Sequence, residues 1–198
     1  LIELKDNGGN TPLIRACHRG RVAVANYLIE KGANVNAADK RKHTPLTRAC
    51  NMRDLDLTLI QRLIDKGADV NWQGTNGNTP LHWAVYTGGL QLTRLLIDNG
   101  ADVNAYDKYN GPVVTSSING TILQVAINYG KEEVAVFIVE NGGSINNKDF
   151  NGNSELHLAA VKGYADLTRC LIDHGAGINA VNNFNRTPLY YAARHGYK

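Results

Sequence analysis

The residues that could support metal or nucleophile chemistry are few and scattered along the 198-residue sequence. Cys170 and His174 stand four apart, a spacing at which two side chains of one helix could share a metal ion. No third ligand accompanies them, and Cys170 falls among apolar residues that we expect to be buried. We find no paired acid and base, no phosphate-binding glycine loop and no serine elbow. The sequence therefore predicts no enzyme activity, metal site, cofactor or small-molecule substrate.

The cysteines and the overall charge restrict the setting of the protein. There are three cysteines and no C-x-x-C spacing, which favours a reducing, cytoplasmic compartment over a disulfide scaffold. The formal charge of +3 is weak evidence for a nucleic-acid partner, because dedicated binders cluster more Lys and Arg on one face. No apolar run approaches the ~20 residues that cross a bilayer. Neither nucleic acid nor membrane is expected as a partner.

A short motif of the type Thr-Pro-Leu recurs along the chain and sets a period. Its copies, two of them degenerate, start at Thr11, Thr44, Thr79, Thr121, Ser154 and Thr187. The spacings are 33, 35, 42, 33 and 33 residues. A second motif, Gly100-Ala101-Asp102-Val103-Asn104 in its third copy, recurs five times in phase with the first. Two motifs that share one period indicate a chain built from structural repeats.

Each repeat contains the start and stop signals of two helices. In the third copy, Thr79 is a good N-cap and Pro80 suits the first helical position. Leu81 and Ala84 recur at i and i+3, which places them on one helical face. A glycine then ends the first helix, and another, Gly100 in this copy, ends an apolar second helix. The second copy lacks the first of these glycines and has two extra residues there, so we expect a longer turn between its helices.

The segment 78–84 (Asn-Thr-Pro-Leu-His-Trp-Ala), with the Gly-Ala-Asp-Val-Asn motif, resembles the ankyrin-repeat family, and the resemblance covers essentially the whole chain. It implies an all-α solenoid of helix-turn-helix units joined by β-hairpin-like loops. A single domain, 1–198, would hold repeats at about 6–38, 39–73, 74–106, 107–148 and 149–181, and a partial one at 182–198. We expect this domain to be a fragment of a longer array.

The family resemblance also implies structural roles for two kinds of polar residue. In this family, a histidine at the position of His82 and His157 bonds the motif Thr and stiffens the turn. The other repeats carry Ile, Thr, Gln or Tyr at this position, so that bond should be missing there. One Asn per repeat, at the position of Asn71, typically braces the hairpin. We therefore interpret these residues as structural.

The same resemblance implies that another protein binds to a concave surface made of hairpin tips and first helices. The candidate contact residues are Lys40, Arg41, His43, Trp72, Tyr86, Tyr106, Lys108, Tyr109, Tyr129, Phe150 and Phe184. The aromatic residues could bind a partner or simply pack between hairpins. The basic run 40–43 could meet an acidic peptide or phosphates, or be a solvated turn. As an isolated fragment the chain should be a monomer, and the alternative function is a regulatory or targeting segment of a larger enzyme.

An insertion interrupts the period between Asp107 and Thr121. It adds about nine residues to the repeat and includes the apolar stretch Pro112, Val113 and Val114. Long loops in compact domains are often functional. The insertion is either a partner contact or a tolerated lengthening of the loop.

Overall fold

The computed structural model describes residues 1–52, 54–106 and 121–197. The chain divides into two compact units, unit one (residues 1–102) and unit two (residues 103–198). Both units consist of short helices in pairs, and no β-strand occurs in the described residues apart from the single bridge between Tyr106 and Thr121. None of the described helices is long and apolar enough to cross a bilayer. The expected all-α class is confirmed.

Unit one contains three helix pairs. Its helices are α1 (Pro12–His18), α2 (Val22–Glu30), α3 (Pro45–Cys50), α4 (Leu57–Asp65), α5 (Pro80–Trp83) and α6 (Gly89–Asp98). The turn between α3 and α4 is six residues long, whereas three residues separate α1 from α2. The longer turn expected in the second repeat is therefore present, and Asp56 closes it by accepting a hydrogen bond from the Leu59 N–H at 2.8 Å.

In the third repeat, the first α-helix does not run to the glycine that was predicted to end it, Gly88. A π-helical turn, Ala84–Gly88, follows α5 directly, and α6 begins at Gly89, whose φ of +67° favours glycine. The Thr87 hydroxyl lies 2.8 Å from the carbonyl oxygens of both Trp83 and Cys50. A side-chain hydroxyl that competes for helical carbonyls is one way to loosen the regular hydrogen-bond pattern.

The described residues of unit two form two further pairs and a single helix. Its helices are α7 (Ile122–Asn128), α8 (Glu132–Glu140), α9 (Glu155–Lys162), α10 (Ala165–Asp173) and α11 (Pro188–His195). The first helix of each pair packs against the next first helix, α7 on α9 and α9 on α11. The second helices α8 and α10 pack on each other in the same way. These contacts explain why the apolar residues recur with the period of the repeat.

The core lies between successive helix pairs. The motif leucines of the first helices are buried in five repeats, and so are the alanines three positions later. Leu63, Leu96, Ile138 and Leu171 of the second helices are completely buried as well. Each such side chain contributes roughly 1.5–3 kcal/mol when it is fully removed from water. Repetition of this burial holds each unit together.

The predicted hydrogen bond between the motif residue at the helix start and the histidine three positions later is present in both histidine repeats, and one further repeat makes an equivalent bond. The Thr79 N–H donates to His82 Nδ1 at 3.1 Å, and the Ser154 N–H donates to His157 Nδ1 at 3.2 Å. In the second repeat Thr47 replaces the histidine, and its Oγ1 accepts from the Thr44 N–H at 2.8 Å. The prediction that only the two histidine repeats make this bond was wrong for Thr47, because a hydroxyl at this position reaches the same backbone group.

Three of the recurring asparagines, Asn36, Asn71 and Asn104, connect one repeat to the next. Asn71 Nδ2 donates to the Gly100 carbonyl at 2.9 Å, and its Oδ1 accepts from the Asp102 N–H at 2.8 Å. Asn36 makes the equivalent pair of bonds within unit one, and Asn104 makes it within unit two. Each side chain thus satisfies backbone groups that the helix end leaves unpaired.

The loops between repeats end in five-residue turns, here called fingertips, at 6–10, 39–43, 74–78, 149–153 and 182–186. In each, the first N–H donates to the fifth carbonyl, and the fourth N–H donates to the first carbonyl. In four fingertips an Asp or Asn side chain at the first position also accepts from the third and fifth N–H groups. The fingertips are therefore closed by their own polar groups.

The fourth fingertip residue always has a positive φ. Glycine stands there in three fingertips and Asn185 in another, but the second fingertip has Lys42, with φ +58°. A side chain with a Cβ is strained by about 1 kcal/mol or more in this left-handed conformation. Lys42 therefore holds a backbone geometry that glycine would adopt more easily.

Replacement of Lys42 by glycine should stabilise the protein. Relief of the left-handed strain outweighs the extra chain entropy of glycine, so we expect Lys42→Gly to raise the free energy of unfolding by roughly 0.5 kcal/mol. Urea unfolding measures this difference. Lys40→Gly in the same fingertip is the control and should lower the free energy of unfolding, since Lys40 has no positive φ. Equal effects of the two substitutions would contradict the strain interpretation.

Glu155 should make the stability of the protein depend on pH. It occupies the first position of α9, where four other repeats have Pro, and it is fully buried. Burial raises its pKa to about 7, and the polar groups of Asn147 and Gln124 offset only part of this rise. Gln124 Nε2 donates to one oxygen at 3.2 Å, whereas the other makes no hydrogen bond of normal geometry. Between pH 4.5 and 7 the folded state binds this proton more tightly than the unfolded chain, so stability falls as pH rises through that window.

The Glu155→Gln variant isolates this contribution. We expect the unfolding free energy of this variant to exceed that of the wild type by about 1 kcal/mol or less at pH 5 and by an amount on the order of 3 kcal/mol at pH 8. Urea unfolding at the two pH values measures it, with Glu133→Gln, an exposed carboxyl of α8, as the control. A difference between variant and wild type that stays constant with pH would show that Glu155 is not the group responsible.

Candidate functional site

The cysteines do not form a reactive centre. Cys17 and Cys50 are buried, and burial raises the pKa of Cys17 to about 12 and that of Cys50 further, so neither is a thiolate at neutral pH. Cys170 is only half-buried, which corrects the expectation of a buried thiol, because the side of α10 that carries it is not fully covered. Its Sγ lies 3.7 Å from His174 Nδ1. No group of three metal-binding side chains occurs in the part of the chain that the structure describes.

Both motif histidines have structural roles. His82 is completely buried, and burial lowers its pKa to about 4, so the ring is neutral at pH 7. His157 also lies in the core, where its Nε2 is 2.9 Å from the Arg186 carbonyl oxygen. Neither ring faces solvent. The candidate functional residues are therefore those of the fingertips and their surroundings.

In unit one the second and third fingertips enclose a polar pocket of about 170 Å³. Arg41, Lys42 and His43 line it from the second fingertip, and Thr75, Asn76 and Asn78 line it from the third. Trp83 of α5 contributes an aromatic wall. The structure thus brings the predicted residues Arg41 and His43 to one site, while Lys40 is exposed beside it and does not line it.

A buried ion pair supports the second fingertip from below. Asp39 is almost completely buried, and its Oδ2 lies 2.8 Å from Arg48 Nη2 of α3 and 3.1 Å from His43 Nδ1. Burial alone would raise the pKa of Asp39, but the His43 N–H and the Arg48 guanidinium hold the pKa below its ordinary value. Burial and the charge of Arg48 lower the pKa of His43. Asp39 therefore stays ionised, and a neutral His43 is oriented by it.

Trp72 is fixed between two loops. Its Nε1 donates to the Lys42 carbonyl at 2.7 Å, so the indole connects the loop before the third fingertip to the second fingertip. It also lines a shallow recess of about 440 Å³, together with Ala38, Lys42 and Gln73. The structure therefore shows Trp72 packed between two loops, which is one of the two interpretations of the aromatic residues. Part of the Trp72 side chain also lines the recess. Tyr86 lies outside both pockets, with its ring centroid 5.9 Å from that of Trp83.

Unit two carries the other predicted aromatic residues. Tyr106 and Tyr129 are about half exposed, and Phe150 and Phe184 are more exposed, at 73% and 58%. The fourth and fifth fingertips, at 149–153 and 182–186, hold the two phenylalanines and are connected by the Asn183 N–H, which donates to the Asn151 carbonyl at 2.9 Å. These side chains therefore project from a backbone that is fixed by hydrogen bonds.

The insertion and two of the candidate residues lie outside the described residues. They are Lys108, Tyr109, Pro112, Val113 and Val114. The interpretation of the insertion as either a partner contact or a tolerated loop stays a prediction.

Several residues of this region were not found from the sequence. Arg48 was overlooked because it lies on a first helix, nine residues from the carboxylate that it binds, and no local motif connects them. Trp83 was not among the predicted contact residues either. In unit two, Leu156, Ala160, Ile172, Ile178 and Leu189 line an apolar groove of about 280 Å³ that the sequence did not indicate. Its members come from two repeats, so only the stacked structure reveals it.

Comparison with known proteins identifies the family. The family described as ankyrin repeats in three copies matches residues 36–107, 54–149 and 123–198, and the single ankyrin repeat matches residues 8–40. The B-cell lymphoma 3 protein homolog of Mus musculus is 34% identical over 195 residues, which are 96% of this chain and 41% of that protein. The human transient receptor potential cation channel subfamily A member 1 is 24% identical over 230 residues, 99% of this chain and 21% of the channel.

A solved structure agrees with the sequence matches. The crystal structure of the ankyrin repeat domain of Bcl-3, described as a unique member of the IkappaB protein family, superposes with a TM-score of 0.77 at 28% identity. It covers 97% of this chain and 82% of that domain. The chain spans less than half the length of the full-length relatives named above. Its repeats, helix pairs and fingertips are those of the ankyrin-repeat family, to which this chain belongs.

Proposed function

We propose that the chain is a protein-protein interaction scaffold that binds a partner on its concave surface of fingertips and first helices, and that it works by binding rather than by catalysis. The observation that carries the proposal is the combination of fixed backbone and exposed side chains at the fingertips. The backbone groups there are paired internally, while Arg41, Phe150 and Phe184 project into solvent. Side chains on a rigid backbone lose little conformational freedom on binding.

The family membership supports the same function. Ankyrin repeats typically bind proteins, and the proposal places the contacts of this chain where its large exposed side chains stand on loops. We propose further that residues 1–198 act as one domain within a longer array, as a monomer when isolated, in the reducing environment that three free cysteines favour. Phe150 and Phe184 are the candidate anchors in unit two, and Arg41 and His43 are the candidates in unit one.

A second candidate function is a regulatory or targeting segment of a larger enzyme. The putative palmitoyltransferase ZDHHC13 of Danio rerio is 30% identical over 195 residues, which are 96% of this chain but 28% of that protein. Its name describes an enzyme, and the matched segment consists of repeats. The parent sequence of this chain discriminates between the two functions, because a parent composed only of repeats would leave no enzyme to regulate.

Partner capture should depend on the exposed aromatic fingertips. The double variant Phe150→Ser/Phe184→Ser removes two large apolar anchors, and we expect recovery of specific partners in affinity purification to fall by about ten-fold or more. Quantitative mass spectrometry of the captured proteins measures this. Thermal unfolding should be nearly unchanged, since substitutions of exposed residues alter stability by roughly 0.5 kcal/mol or less.

The matched control replaces two side chains on a second helix that are also more than half exposed. Val24 and Tyr27 of α2 are 51% and 58% exposed and lie away from the fingertips. The variant Val24→Ser/Tyr27→Ser should capture partners as well as the wild type does. Undiminished capture by the fingertip variant, or equal losses in both variants, would contradict a fingertip binding surface.

A further inference from the structure

The pocket between the second and third fingertips holds positive charge that no ion pair within the described residues neutralises. Arg41 and Lys42 are exposed, and neither makes an ion pair with a carboxylate of the described residues. Asp39 of the same fingertip is buried and is paired with Arg48 at 2.8 Å. The charge of Asp39 is therefore already compensated, and that of the two surface cations is not.

The hydrogen-bonding groups of the pocket suit a small anion. Thr75 and Asn76 of the third fingertip add hydroxyl and amide donors opposite Arg41 and Lys42. With a volume of about 170 Å³, the pocket has room for one carboxyl group and a few waters. Trp83 closes one side, which lowers the exposure of a bound group to water and strengthens its interaction with the cations.

The charge of the whole chain is concentrated in the same unit. Residues 1–102 contain 13 of the 21 Lys and Arg and 10 of the 18 Asp and Glu, so unit two is neutral and the net charge of +3 belongs to unit one. The net positive charge of unit one attracts an acidic segment and speeds its association.

The residue with the strained backbone, Lys42, lines the same pocket. Lys42 is the only Lys or Arg at a left-handed position in the described residues, and the equivalent positions hold glycine or asparagine. Its carbonyl is fixed by the Trp72 indole, so its side chain leaves from a rigid point between the polar pocket and the recess of Trp72. Strain in a folded protein often persists where a side chain has a functional task.

We propose that this pocket binds the carboxylate of an Asp or Glu side chain in an extended acidic segment of the partner, with a neighbouring apolar side chain against Trp72. The proposal rests on the function proposed above and names the chemistry of one contact. Arg41 and Lys42 bind the carboxylate, and Thr75 and Asn76 donate hydrogen bonds to it. The recess beside Trp72 also contains Asp69, which disfavours a second acidic side chain and favours an apolar one.

A peptide fits this site better than a nucleic acid does. Phosphate backbones are bound by cations spread over several contacts along the strand. The cations here are confined to the second fingertip, since the first and third, at 6–10 and 74–78, contain no Lys or Arg. One concentrated positive site flanked by an aromatic recess matches an acidic residue beside an apolar residue.

The test uses the full 198-residue chain, isotopically labelled, and synthetic peptides as probes. The acidic probe contains Glu-Leu pairs separated by Gly and Ser, and the matched probe has Gln at every Glu position. NMR titration follows the amide signals of Arg41 and Asn76 and the indole N–H of Trp72. We expect the acidic probe to shift these signals in a saturable manner and the Gln probe to leave them unchanged.

Two charge-matched variants locate the site. Lys42→Gly should weaken binding of the acidic probe about two- to five-fold, the factor expected for loss of one exposed ion pair. This variant suits the fingertip backbone, so loss of folding does not account for the loss of binding. Lys66→Gly removes the same charge from an exposed position after α4 and should bind the probe as the wild type does.

Each other outcome overturns the inference. Equal binding of the Glu and Gln probes, equal effects of the two variants, or no shift with either probe at millimolar concentration would show that the pocket does not select a carboxylate. A single-stranded oligonucleotide that shifts the same signals at lower concentration would show that it takes phosphates instead. The capture experiment with Phe150 and Phe184 concerns other fingertips, so its result is separable from this one.

Discussion

The structure depends on burial of one apolar face per helix against the neighbouring repeat. The motif leucines of five first helices, from Leu13 to Leu156, are at most 2% exposed. Leu189 occupies the same position in α11 and is 73% exposed, although α11 packs against α9 and starts at the same Thr-Pro pair. No second helix packs with α11 among the residues that the structure describes. Because residue type and helix position are the same, the difference in burial comes from the neighbours, as expected of a repeat protein.

This constraint explains which parts of the fold could be predicted from the sequence. Four of the first helices start with the same local chemistry, a hydroxyl N-cap followed by Pro, so the period alone located them. The π-helical turn at 84–88 and the substitution of Thr47 for histidine depend on hydrogen bonds that sequence spacing does not reveal. Glu155 was overlooked for a similar reason, because a charged residue at a helix start is ordinary until the neighbouring repeat buries it.

The sequence could predict where the candidate site lies, but not which side chains meet there. The fingertips are turns closed by their own Asp, Asn and backbone groups, so their locations follow from the repeat. Which side chains meet there depends on two loops at once, and the pocket that joins Arg41 and His43 to Thr75 and Trp83 could not be derived from either loop alone. The same holds for Trp72, whose bond to the Lys42 carbonyl joins residues thirty positions apart.

Separation of the core from the fingertips leaves the fingertip side chains free to serve binding. In the four fingertips that begin with Asp or Asn, the third and fifth N–H groups need only the side-chain oxygen of the first residue, so the second, third and fourth side chains are not required for closure. Most fingertips use that freedom without strain, with glycine or asparagine at the left-handed position. The second fingertip breaks the local rule, with Lys42 at that position and Arg41 beside it. This strained fingertip lies above the buried Asp39–Arg48 pair and beside an aromatic recess. A site at which the residue type conflicts with the local backbone conformation is where a functional role is expected.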